Sequence, residues 1–100
     1  MGGDPILNLF RGNAFLTAGD FINARQSFQL VYDEFPDYNY GIIGLLSTGL
    51  EVGDPILSVN SFVDLKDRFG FSKDDIINIA KSYPVVKESK EYKEYIATLD

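Results

Sequence analysis

The sequence predicts an all-α fold of about six helices, paired as helix–turn–helix repeats within a single domain over residues 1–100. Three observations predict it. Apolar residues recur at a step of 34, they fall at helical spacing within each segment, and the breaks between segments carry capping residues. The step is plainest at Gly19-Asp20 and Gly53-Asp54, and it carries Phe28 to Phe62, Val31 to Leu65 and Phe35 to Phe69. It continues from Ile42 to Ile76, Leu45 to Ile79, Phe62 to Ile96 and Leu65 to Leu99. A fixed step of this size marks supersecondary units that bury their apolar faces by stacking on one another.

Each helix is justified by its stripe and its ends. Leu9, Phe10, Phe15, Leu16 and Ala18 lie on one broad face of the first, which Asp4-Pro5 opens as N-cap and first-turn proline. Phe21, Ala24, Phe28, Val31, Tyr32 and Phe35 form the stripe of the second, capped by Asp20 and stopped by Pro36. Ile42, Leu45, Leu46 and Gly49 mark the third, and Leu57, Phe62, Leu65 and Phe69 the fourth, which Asp54-Pro55 opens. The string Gly-Asp-Pro-Ile-Leu stands at 3–7 and again at 53–57, out of the repeat register, as one start signal used at two helices. Ile76, Ile77, Ile79, Ala80 and Tyr83 mark the fifth. Ser72 and Asp75 give it a capping box, and Pro84 is expected to end or kink it. Tyr92, Tyr95, Ile96 and Leu99 mark the last. The repeat units are therefore about 5–38, 39–72 and a degenerate capping unit 73–100.

Composition closes off several functions. Apolar residues are 45% and charged residues 24% of the chain, the balance of a folded domain. The net charge of −6 opposes binding to nucleic acid or anionic lipid, both of which need a basic footprint. There is no cysteine and no histidine, so thiolate chemistry and the commonest general base and metal ligand are missing. No apolar run approaches the roughly 18 residues of a membrane span, and Met1-Gly2-Gly3-Asp4-Pro5 lacks the basic start and apolar core of a signal peptide. A soluble chain, cytoplasmic by default and without membrane insertion, is expected.

The segment Gly12–Pro36 resembles a tetratricopeptide repeat. Gly12 and Phe15 occupy the small and aromatic places of that family's first helix, and Ala24, Phe28 and Pro36 the small, aromatic and terminating places of its second. Asn8 stands where tryptophan is usual and Arg11 where leucine is. The second unit departs further: Leu46 and Gly49 exchange small and large, Ser58 replaces alanine and Gly70 replaces proline. An exchange of that kind is a route to mutual compensation in packing. In the third unit Tyr92 stands where alanine is usual.

The resemblance implies a short right-handed α-solenoid that binds protein in a concave groove lined by the first helix of each pair. The groove would present Ile6, Leu9, Asn13 and Leu16, then Tyr40, Ile43, Ser47 and Leu50, then Asp74, Ile77 and Lys81. It is an apolar surface with an acidic fringe, suited to a peptide or amphipathic helix with apolar or basic side chains. The competing fate of these residues is packing against the C-terminal helix or a further repeat. One subgroup of the family grips acidic tails with a clamp of lysine, asparagine and arginine. Here only Asn13 fits the clamp, the other places holding Leu9, Gly44, Asp74 and Asn78, so that mode is excluded. The alternative to a peptide-binding scaffold is a structural or self-assembling fragment that forms a homo-oligomer through stacked repeats.

No catalytic residue, metal ligand or cofactor site is expected, and the chain is read as a non-enzyme. Asp64 with Asp67, and Asp74 with Asp75, sit among Lys66, Arg68 and Lys73 as a solvated helix face rather than as acid–base pairs. Gly2-Gly3 and Gly12 lack the lysine and strand of a phosphate loop. Glu88, Lys90, Glu91, Lys93 and Glu94 read as a mixed-charge surface. Tyr83, Tyr92 and Tyr95 are expected to pack in the core with hydroxyls at its rim.

Overall fold

The structure, a computed structural model, describes residues 4–99. Gly2, Gly3 and Asp100, which entered the reading above as a rejected phosphate loop, a repeated start signal and the end of the third unit, lie outside the described residues. The described chain is all-helical: α1 (Pro5–Thr17), α2 (Phe21–Glu34), α3 (Asn39–Val52), α4 (Pro55–Phe69), α5 (Lys73–Ala80), α6 (Pro84–Lys87) and α7 (Lys90–Ala97). The first helices of the three units thus begin at 5, 39 and 73, and the second helices of the first two at 21 and 55, each 34 residues apart.

The ends are built as the sequence prescribes. Asp4, Asp20 and Asp54 accept hydrogen bonds from the first free amides of α1, α2 and α4, and Pro5 and Pro55 occupy the first helical turns. Ser72 and Asp75 form the complete capping box of α5. Gly19, Gly53 and Gly70 take φ of 79°, 75° and 76°, the left-handed region that lets a helix stop and the chain reverse within two or three residues.

Short turns force neighbouring helices to run antiparallel, and the glycines fix how close they come. A side-chain carbon on Gly12 of α1 would lie 2.6 Å from the Phe28 ring of α2. One on Gly44 of α3 would meet the same ring still more closely. Phe28 therefore fills the space between α1 and α3, and it is 1% exposed. A carbon on Gly41 would lie 2.8 Å from the Tyr32 amide nitrogen, and one on Gly49 2.8 Å from the Ser58 hydroxyl of α4. Glycine in a helix costs about 0.5–1 kcal/mol against alanine; here it admits a neighbouring aromatic or backbone in return. Gly49, placed where the first unit has Phe15, faces Ser58, placed where it has Ala24. The Leu46–Gly49 exchange is thus absorbed by close helix approach, with Leu46 itself in the core.

Two expectations are corrected in the third unit. Seven helices are described, not six, and the last three are shorter than the roughly 10–14 residues expected. Proline at 84 neither ends nor kinks α5, which already stops at Ala80; it opens the four-residue α6 from its first turn. The ring fixes φ as a first helical turn needs it and has no amide to waste there. Tyr83 consequently leaves α5 to become the N-cap of α6, and Leu99 lies beyond α7. The close backbone contact that joins α2 to α3 is not repeated between α4 and α5; α4 approaches α6 and α7 instead. The radius of gyration is 13.2 Å, that of a compact 100-residue domain (about 13 Å).

Candidate functional site

The first eight of the expected groove residues lie on α1 and α3, seven of them exposed or half-buried. Ile6 and Tyr40 are 55% and 53% exposed, Asn13 is exposed, and Leu9, Leu16, Ile43 and Ser47 are half-buried. Leu50 is buried in the core. These residues come in register because 6, 9, 13 and 16 step by 34 to 40, 43, 47 and 50 on helices that touch directly. Asp74 and Ile77 on α5 and Lys81 at its C-cap are exposed; the close backbone neighbour of α5 is α6, so they are not drawn against α3 as α3 is drawn against α1. The face is a shallow apolar strip, tyrosine and isoleucine at one end and a half-buried serine towards the other.

A second depression was not anticipated. A cavity of about 300 Å³ opens between α2 and α4 over α3, with Ile42, Leu45 and Leu57 among its walls and Arg25, Gln29, Asn60 and Asp64 as its polar lining. A smaller one of about 240 Å³ lies where Leu50, Glu51 and Val52 meet Tyr83, Pro84 and Val85. The stripe patterns hide both, since each is made where separate helices diverge.

Arg68 is exposed, as expected, but its guanidinium is engaged by the protein rather than free in solvent. Its guanidinium donates to the Pro36 carbonyl at 2.7 Å, to Asp64 Oδ2 at 3.2 Å and to the Tyr32 hydroxyl at 3.4 Å, and it lies over the Tyr32 and Phe69 rings. It ties α4 to the α2–α3 turn. No local pattern signals this role, because Tyr32, Pro36 and Asp37, which it reaches on other elements, are 31 to 36 residues away. The charged surface of α7 is as expected, with exposed pairs Lys90–Glu94 and Lys93–Glu88 at 3.8 and 3.2 Å.

Burial, then the Asp64 carboxylate, raises the Tyr32 hydroxyl; burial, then Glu51, raises Tyr83; burial alone raises Tyr92; burial, then Asp67, raises Tyr95. Hydrogen bonds from Ser72 hold Asp75 below its ordinary value. All five move away from neutrality. Tyr92 is core, as expected, and Tyr83 donates to Glu51 at 3.3 Å at the rim. Tyr95 departs from the expectation: its hydroxyl is buried with no protein partner. Among the described residues no group of three or more acidic side chains is placed to share a metal ion, and no helix is long and apolar enough to cross a membrane. No protein-family model, curated protein or solved structure matches the chain.

Proposed function

We propose that this chain is a protein-interaction scaffold, a short tetratricopeptide-like array whose α1–α3 face receives a peptide or amphipathic helix. One observation carries the reading. An exposed apolar residue, Ile6 and then Tyr40, stands at the same repeat position of two successive first helices, next to the half-buried Leu9 and Ile43. Exposed apolar residues that repeat in register form a linear contact surface, which suits a ligand that is itself a repeating backbone. The acidic character of the chain favours ligands with basic side chains beside the apolar ones.

Selection from a displayed peptide library tests it. Selected peptides are expected to carry apolar residues at helical or alternating spacing and to bind Tyr40→Asp at least about tenfold more weakly, a loss of roughly 1.4 kcal/mol. Tyr40 is half-exposed, so this variant keeps its helical far-ultraviolet spectrum. Selected peptides that bind Tyr40→Asp and Asn13→Arg undiminished place the ligand elsewhere and end the proposal.

A further inference from the structure

The repeat supplies an internal comparison for the outer face of α1. Residues 7, 10, 11 and 14 of α1 step by 34 to Gly41, Gly44, Leu45 and Thr48 of α3. On α3 all four are buried under α2. On α1 the same positions hold Leu7 at 45% exposure, Phe10 at 67%, and an exposed Arg11 and Ala14. This face is distinct from the proposed ligand strip of Ile6, Leu9 and Asn13. It is a helix-packing face without its helix.

The order of charges along the face indicates what covers it. Asp4, Leu7, Phe10 and Arg11 run along one side of α1 as acid, apolar, apolar, base, with Asp4 and Arg11 seven residues, two turns, apart. Such an order is complementary to itself when reversed. An identical helix laid antiparallel across Leu7 sets Asp4 of each copy beside Arg11 of the other and encloses the Leu7 and Phe10 side chains between them. Within α1 itself there is no acidic residue, so Arg11 is the helix's one charge and Asp4 the acid nearest to it along this side. Asp4 remains usable: its Oδ1 accepts from the Ile6 amide at 2.8 Å and its side chain is exposed.

We infer that the chain forms a two-fold dimer through antiparallel pairing of α1 with α1 of a second copy, centred at Leu7 and enclosing Phe10. A two-fold contact uses one patch twice and closes after two copies, so no filament follows. A helix of 13 residues is about 20 Å long, which places the contact at the small end of specific interfaces and makes the dimer concentration-dependent.

Sedimentation velocity up to roughly 1 mM, the limit of weak association, reads the state directly. The wild-type chain is expected to move from monomer to dimer as concentration rises, and Phe10→Asp to shift the midpoint at least about tenfold upward. The absence of natural cysteine allows a second readout. On mild oxidation Leu7→Cys is expected to cross-link into a dimer, whereas Ile22→Cys, 75% exposed on α2, is not. A monomer at every concentration overturns the inference. So does a dimer that Phe10→Asp leaves intact, or a Leu7→Cys chain that cross-links no better than the Ile22→Cys control.

Discussion

Phe28 depends on two glycines of different helices. Gly12 of α1 and Gly44 of α3 both face its ring, which leaves no room for a methyl group on either. Alanine normally favours a helix over glycine by about 1 kcal/mol. At position 44 that gain is outweighed, because an added carbon meets the Cδ1 edge of a fully buried ring, and overpacking of this kind costs about 1–3 kcal/mol. Gly44→Ala is therefore expected to lower stability in urea unfolding, and Phe28→Leu to offset part of that loss by thinning the ring side. The double variant should be less destabilised than the sum of the two single ones. An additive pair, or a stabilised Gly44→Ala, would mean that α2 and α3 part easily. Half of this was legible beforehand: Gly12 and Phe28 stood at the small and aromatic places of one repeat. For Gly44 the three glycines of one helix left two readings open, close approach of a neighbour or a weak helix; which aromatic it meets was not legible, because Phe28 belongs to the preceding unit.

At the scale of elements, the contrast between α3 and α5 shows which signals were local. Caps are set by a few adjacent residues, so Asp4, Asp20, Asp54 and Ser72 could all be read from sequence. Helix length was harder to read. Ile76, Ile79, Ala80 and Tyr83 keep helical spacing across a break, so the stripe concealed the end of α5 at Ala80. With eight residues α5 leans on its capping box more than the longer helices lean on theirs. Ser72 hydrogen bonds hold the Asp75 pKa below its unfolded value of 3.8. The sign follows: the stabilisation is fully present above the unfolded value and is lost as pH falls through the lower folded one. In an acid titration followed by amide resonances, Ser72 and Asp75 should report a midpoint below that of an unperturbed aspartate. Asp75→Ala should remove the acid-dependent part of α5 fraying and leave α5 frayed at neutral pH as well. A Ser72 amide that titrates at the ordinary aspartate value would show that the box does not form in solution.

For the whole molecule, the step of 34 governs where helices begin but not how all of them pack. Phe28 and Phe62 are repeat equivalents, both essentially unexposed, yet their surroundings differ. Phe28 is met by Gly44; the residue one step further on is Asn78, which is exposed and offers Phe62 no matching hollow. Tyr92 of α7 takes that side, its ring 6.2 Å from Phe62. A bulky residue one step of 34 beyond Ser58 and two beyond Ala24 thus packs the last helix onto α4, while α5 keeps its hold through Ile76 and Ala80 in the core and through Lys73, which donates to the Leu99 carbonyl at 3.1 Å. The divergence at Tyr92 was visible in the sequence; its consequence was not, because it depends on what Asn78 fails to provide in three dimensions. This packing orders the local stabilities. α2 is held between α1 and α3, and α3 between α2 and α4, whereas α5 has close backbone contact chiefly with α6. Amide hydrogen exchange under native conditions should accordingly be slowest in α2 and α3, and faster in α5 by about a hundredfold or more, since local opening follows the density of buried contacts. Phe62→Leu should accelerate exchange in α7 together with α4 while leaving α1 and α2 nearly unchanged. Uniform protection from α1 to α7 would instead mean that the three units open as one, and that Tyr92 joins the third unit to the first two as firmly as Phe28 joins those two to each other.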